Sequence, residues 1–304
     1  MGPVPTIIDT VKNIFKDDIA EISMYDFSRG NLDEESRIHH ITTVASVCYA
    51  NDKIIGKESL YNRLAAEAAG LPSSSFEFIP VYLTEERVRE LAALYVKAKD
   101  TRILSIFKYG QTYGDKAIIT NYRALLYDVE YLERECHMSA RHMLDWYNTE
   151  EECEILRKKV FTFLTKMDMA TSKQYNRHRV RLQELSRRYV SGKKVNFELY
   201  HEQAMLTKIG ATLSAEVLEH GLQSIALYNK ILATGVKPQS ARRVIPVSMY
   251  TTIWASFDID QVNNFQELRL DDHAQWEIRK IAGAMAELLP HVNDEDIYIK
   301  PASV

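Results

Sequence analysis

Five arginines and one histidine fall within residues 177–188, and a single acid, Glu184, interrupts them. The chain as a whole carries 38 basic and 42 acidic side chains, for a net charge of −4, so this concentration of positive charge is local. A guanidinium is planar, permanently charged and able to hold a phosphate through two parallel hydrogen bonds. Three uses compete. The run could be a solvated helix face, a nucleic-acid patch helped by Tyr175 and Tyr189, or a pocket for a phosphorylated small molecule. Leu182 and Leu185 tie the segment to the core, so its charges cannot all be free in water. A buried arginine without a counter-ion is costly, and a nucleotide phosphate with nearly two negative charges would supply one. No wider basic surface supports nucleic acid as partner. The pocket is the preferred reading.

Other chemistry finds little support. Cys48, Cys136 and Cys153 are too few and too scattered for a disulfide framework or a zinc site, which points to a reducing compartment and no metal. No general base is placed beside Ser186, so a substrate-binding hydroxyl fits it better than a nucleophile. His39 and His40 read as surface or structural side chains. The amino terminus lacks a basic segment followed by an apolar run, and VIPVSMYTTIWASF is too short to span a bilayer. The expectation is a cytoplasmic protein without membrane or nucleic-acid partners.

The elements that must position the arginines are mostly helical. VFTFLTK (Val160 to Lys166) alternates like a half-buried strand, and Asp168 can cap a following helix that carries Gln174, Arg177 and His178 on one face. A helix is expected from Ser214 as N-cap to Gly235 as C-cap, with Leu218, Leu222, Ile225, Tyr228 and Leu232 as its apolar stripe. Pro238 suits the first turn of a helix that carries Arg242 and Arg243. The last helix is expected from Asp271 or Asp272, with Ala274, Ile278, Ile281, Met285 and Leu288 as a core-facing seam. GLPSSSFEF reads as a loop, a helix begins near Thr84, and KYGQTYGDKAIIT reads as a hairpin. The class is α+β, helix-rich with a small mixed or antiparallel sheet.

Gln-x-x-Arg-His-Arg followed by Ser-x-Arg-Tyr resembles the signature of the flavin-dependent thymidylate synthases, and ARRVIPVSMYTTIW with NNFQELRLDDHAQWEIRKIA is similar to that family's second block. The resemblance covers about Val160 to Leu289, more weakly the first eighty residues. It implies one domain over 1–304 with a mainly helical insertion at about 83–159. The implied reaction is reductive methylation of dUMP to dTMP, with methylenetetrahydrofolate as carbon donor and FAD and NADPH as reductant, in a homotetramer. By the same resemblance Gln174, Arg177, Glu184, Leu185, Ser186, Arg187, Arg188, Arg242 and Arg269 would meet dUMP. Arg269 would also favour the enolate-like uracil ring, as the catalytic group. Ser74, Arg177, His178, Arg179, Glu184, Asn264 and His273 would meet FAD.

Two departures shape the expectations. Only six residues separate Arg-His-Arg from Ser186, which implies a shortened turn, and Asp258-Ile259-Asp260 stands where the family has Asn-x-Arg. Arg181 is expected to compensate by pairing with Asp260 or with the FAD phosphate. The alternatives are one-carbon transfer to another pyrimidine nucleotide and a nucleotide-binding homologue without catalysis.

Overall fold

The computed structural model describes residues 4–15, 19–66, 72–114, 116–188, 190 and 197–289. In chain order its elements are β1 (Thr6–Lys12), β2 (Glu21–Asp26), α1 (Glu34–Tyr49), α2 (Glu58–Ala65), β3 (Pro80–Leu83), α3 (Glu85–Lys97) and α4 (Ser105–Lys108). There follow β4 (Gln111–Tyr113), β5 (Ala117–Asn121), α5 (Tyr122–Arg134), α6 (Glu150–Lys159), β6 (Val160–Asp168), α7 (Met169–Tyr175) and β7 (Arg181–Glu184). The chain continues with α8 (Gln203–Ile209), α9 (Ala211–Ala233), α10 (Pro238–Ala241), β8 (Tyr250–Asp258), α11 (Ile259–Arg269) and α12 (Trp276–Leu288). Helices dominate and every strand pairing is antiparallel, so the class is α+β, as expected.

Two sheets organise these elements. The larger has the order β1-β2-β6-β8-β7, and the smaller has β3-β5-β4. In the larger sheet β6 and β8 pair along their whole length, from Val160 opposite Asp258 to Asp168 opposite Tyr250. Phe161, Phe163, Ile253 and Phe257 enter one core with Phe265, Ile278, Ile281, Met285 and Leu288 from α11 and α12. The expected seam of α12 is therefore present. A second core joins Ile41, Leu60, Phe76 and Val81 to Leu91, Ile118, Leu125 and Leu132. The 83–159 segment thus completes its sheet with β3 and shares its core with α1 and α2. The hairpin is β4–β5, and Thr84 caps α3 as expected.

Several boundaries differ from the sequence reading. α7 ends at Tyr175, so Arg177 and His178 leave from the turn beyond it rather than from its face. α9 starts after Gly210, and Ser214 lies inside it, its hydroxyl donating back to the Gly210 and Leu206 carbonyls at 2.7 Å. Gly235 follows the helix end with a φ of +87°, the left-handed conformation that glycine tolerates. α12 starts at Trp276 because Asp271 accepts from the His273 backbone two residues on, which closes a turn instead of capping a helix. Part of the GLPSSSFEF loop (Gly70 and Leu71) and Tyr189 lie outside the described residues.

Candidate nucleotide-binding site

The pairing of β6, β8 and β7 builds the site. Asp168 ends β6 and accepts from the Ala170 and Thr171 backbone, which starts α7 at a fixed angle. The chain turns back through 176–180 and joins the sheet as β7, with Glu184 opposite Ile253. The six residues expected to form a shortened turn are thus mostly an edge strand. Leu185 continues the ladder by donating to the Thr252 carbonyl at 2.9 Å, so residues 184–188 run beside the start of β8.

Within this frame the arginine-rich segment divides into two groups. In the first, Arg269 at the end of α11 donates from Nε to His178 Nε2 at 2.7 Å and from Nη2 to the Gln174 carbonyl at 3.3 Å. A guanidinium can only donate, so His178 Nε2 holds a lone pair and the ring is neutral, with its proton on Nδ1. Burial, then the Arg269 charge, lowers the His178 pKa to about 4. The Gln174 side chain donates to Gln275 just ahead of α12. In the second group Glu184 accepts from Thr251 Oγ1 at 3.0 Å and from Asn176 Nδ2 at 3.4 Å, which joins the two groups. Ser186 Oγ accepts from the Arg188 backbone, and Arg188 Nε donates to Gln239 of α10 at 3.3 Å. Arg242 is exposed, immediately after α10.

Arg187 is the unusual member. It is only 7% exposed, donates from Nη2 to the Tyr250 carbonyl at 2.7 Å, and lies 5.4 Å from the Phe197 ring centroid. Its Nε and Nη1 are buried without a hydrogen-bond partner among the described residues. Burial pushes its pKa down, against the pull of Tyr228 and Glu184. A buried donor left unpaired costs about 1–3 kcal/mol, more when charged. Two buried orphans on one guanidinium call for a partner.

The other expected site residues are dispersed. Arg177 and Arg179 are exposed on the 176–180 turn, and Asn264 is exposed on α11. The His273 side chain is 99% exposed and bonds Asp271 rather than any member of either group. Ser74 donates to Gln183 Oε1 at 2.6 Å and so attaches its loop to β7. Arg181 does not pair with Asp260, which instead accepts from Gln111 at 2.8 Å. The acids that pull on Arg181 are Asp258 and Glu77, while burial lowers its pKa. Asp258 serves the fold: it caps α11 in a reciprocal box with Gln261, each bond 2.9 Å.

Sequence reading missed Gln183, Asn176 and Thr251. Gln183 is an uncharged position inside the arginine-rich stretch, Asn176 borders it and Thr251 lies far from it, and each matters only because β7 pairs where it does. Cys48 also contributes beyond packing: its thiol bonds the Glu184 carbonyl at 3.3 Å and takes a bond from Gln183 Nε2 at 2.9 Å. Cys153 is buried, its pKa pushed up to about 12, and inert. His40 is buried in the core against the Ser36 carbonyl, the structural role expected of it.

The family model described as thymidylate synthase complementing protein matches residues 110–292, starting inside the 83–159 segment rather than at Val160. A flavin-dependent thymidylate synthase of Thermotoga neapolitana is 34% identical over 134 residues, covering 42% of this chain and 61% of that protein. Proteins of the same name are 31% identical over 171 residues in Thermus thermophilus, covering 53% of this chain and 58% of the relative. In Thermosipho melanesiensis the figures are 32% over 142 residues, 42% and 62%. The chain spans about three fifths of the length of the curated relatives it matches.

Proposed function

The chain belongs to the thymidylate synthase complementing protein family, and from that premise we propose that it methylates dUMP to dTMP, with methylenetetrahydrofolate as carbon donor and FAD and NADPH as reductant. The observation that carries the reading is Arg187, whose buried Nε and Nη1 lack partners. A nucleotide phosphate satisfies both donors at once and neutralises the buried charge. Ser186 and Arg188 would flank it, with Leu185 and Glu184 fixing the segment and Arg242 closing from α10.

Arg269 would face the uracil ring. His178 and the Gln174 carbonyl hold two of its donors, which aims the remaining ones and keeps the charge beside developing enolate oxygen. Neutral His178 is essential to that arrangement, since an imidazolium would repel the guanidinium. FAD, when bound, would supply the hydride that completes the methyl group. Exposed Arg177 and Arg179 suit its diphosphate, and Asn264, His273, Ser74, His178 and Glu184 are the remaining residues we assign to it. Ser74 keeps only acceptor capacity, because its proton is given to Gln183.

The dispersal of the flavin residues over one protomer agrees with a site completed by neighbouring copies, and we propose a homotetramer. Its support is α9, where Leu213, Leu222 and Leu227 are exposed and Leu222 is 65% so. Among the described residues no helix is long and apolar enough to cross a membrane, and we place the enzyme in the cytoplasm. Incubating FAD-loaded protein with dUMP, methylenetetrahydrofolate and NADPH should yield dTMP. Flavin reduction with no dTMP would overturn the assignment.

A further inference from the structure

A cavity of about 780 Å³ opens between the β1–β2 connection, the 198–204 segment and the start of α12, and no residue assigned above to dUMP or FAD lines it. That volume lies within the usual small-molecule range of roughly 300–1,000 Å³. Its shape follows from backbone pairing. The Tyr200 amide donates to the Ser248 carbonyl at 2.7 Å and the Tyr250 amide to the Glu198 carbonyl at 2.9 Å, so 198–200 runs beside the entry to β8. Four rings thereby fall into one row. The centroids of Trp276 and Phe15 are 5.8 Å apart, those of Phe15 and Tyr200 5.1 Å, and those of Tyr200 and Tyr250 6.2 Å.

Charge along this row is one-sided. Glu198 and Glu202 line the cavity, and among the described residues no lysine or arginine does. His201 adds no charge at neutral pH, since burial lowers its pKa. A third acid, Glu277, is buried behind Tyr200 and accepts from its hydroxyl at 3.3 Å. Glu198 is balanced by Lys166 at 2.7 Å, and that ammonium lies 5.9 Å from the Tyr250 ring centroid. Lys280 lies 5.8 Å from the Trp276 centroid but lines an adjoining cleft. Among the described residues neither Glu202 nor Glu277 makes an ion pair. Nor do those residues contain a group of three or more His, Cys, Asp or Glu that could hold a metal ion.

The face of an aromatic ring is electron-rich and attracts an ammonium group, the more so in a desolvated setting. Lys166 already shows that chemistry at one end of the row. We propose that the cavity binds an organic ammonium ion with an apolar body, its charge between Glu202 and the Tyr200 ring and its body along Phe15 and Trp276. Two sources share this chemistry, an arylalkylamine and an aliphatic polyamine. The site is separate from the nucleotide site, and its occupancy does not depend on the reaction proposed above.

The test titrates phenethylammonium, phenethyl alcohol and spermidine into wild type, Glu202→Gln and Tyr200→Leu, followed by calorimetry, with thermal melts to verify the fold. Wild type should bind phenethylammonium about tenfold or more tightly than the alcohol, which has the same shape and no charge. Glu202→Gln should lose most of that preference while its affinity for the alcohol holds, and Tyr200→Leu should lose it several-fold. Tighter binding of spermidine than of phenethylammonium supports the site and names the polyamine as source; the reverse order names the arylalkylamine. Equal affinity for amine and alcohol, no saturable binding, or a preference that survives both substitutions overturns the proposal.

Discussion

Two arginines are buried almost equally, and they are satisfied in opposite ways. Arg37, 3% exposed, sits in the core shared by α1 and the 83–159 segment, its Cζ 4.2 Å from the ring centroids of both Tyr122 and Tyr147. It donates to Asn31, to the Tyr122 hydroxyl at 3.1 Å, and to the Leu144 and Trp146 carbonyls at 2.7 and 3.0 Å. The protein itself solvates that charge with oxygens and aromatic faces. Arg187 has one carbonyl, one ring at a distance, and two orphaned nitrogens. Burial alone does not distinguish the two; the completeness of the partner set does, and on that difference rests the proposal that Arg187 binds a ligand.

The largest expected effect comes from breaking the complete set. Arg37→Ala should strip several carbonyl and amide groups of their partners and leave a void, costing about 3–5 kcal/mol. Urea denaturation would measure it, and saturating dUMP should not rescue more than ordinary ligand linkage allows. Comparable stability to wild type would mean that the Arg37 network is ornamental. A second effect is set by pH. Both His40 and His178 fold with pKa values lowered to about 4 from 6.5. Between those values the unfolded chain binds more protons than the native one, so stability falls as pH falls from about 6.5 to about 4. The loss is of order 3 kcal/mol for each histidine. Melts of wild type and His178→Gln across that range should differ in slope, and identical slopes would show that His178 is not held neutral.

Much of the framework of both cores was legible in the sequence. The cap at Thr84, the glycine-separated hairpin and the regular seam of α12 follow from local spacing, and the fold contains all three. The arginine-rich segment suggested an anion site through composition alone, and that reading stands as a proposal. What could not be read was its division. Arg187 and Arg188 are adjacent in sequence, yet only Arg187 is buried, because the chain leaves β7 there and crosses the start of β8. That follows from strand register, a long-range property. Asp258 looked like a defect in a flavin contact and is a helix cap, since its role depends on where β8 stops. The exposure of Leu222 likewise reflects what the α9 helix lacks around it, which hydrophobic periodicity cannot reveal.

Smaller effects sharpen the contrast. Gln183→Ala removes the bonds to Ser74 and Cys48 and should cost about 1–2 kcal/mol. It should also loosen the Ser74 loop, which proteolysis rates would report; an unchanged rate would mean that the loop is held elsewhere. Arg187→Leu should leave stability within about 1 kcal/mol of wild type or raise it, because an apolar side chain replaces an unbalanced buried charge. A loss as large as that of Arg37→Ala would erase the distinction between the two arginines.

The central claim is that Arg187 waits for a nucleotide phosphate. Its most direct test is to titrate dUMP and deoxyuridine, which differ only by that phosphate, into wild type and Arg187→Leu. The wild type should prefer dUMP by about a hundredfold or more, the worth of two charge-assisted hydrogen bonds, and the variant should lose most of that preference. Full discrimination retained by the variant would contradict the account.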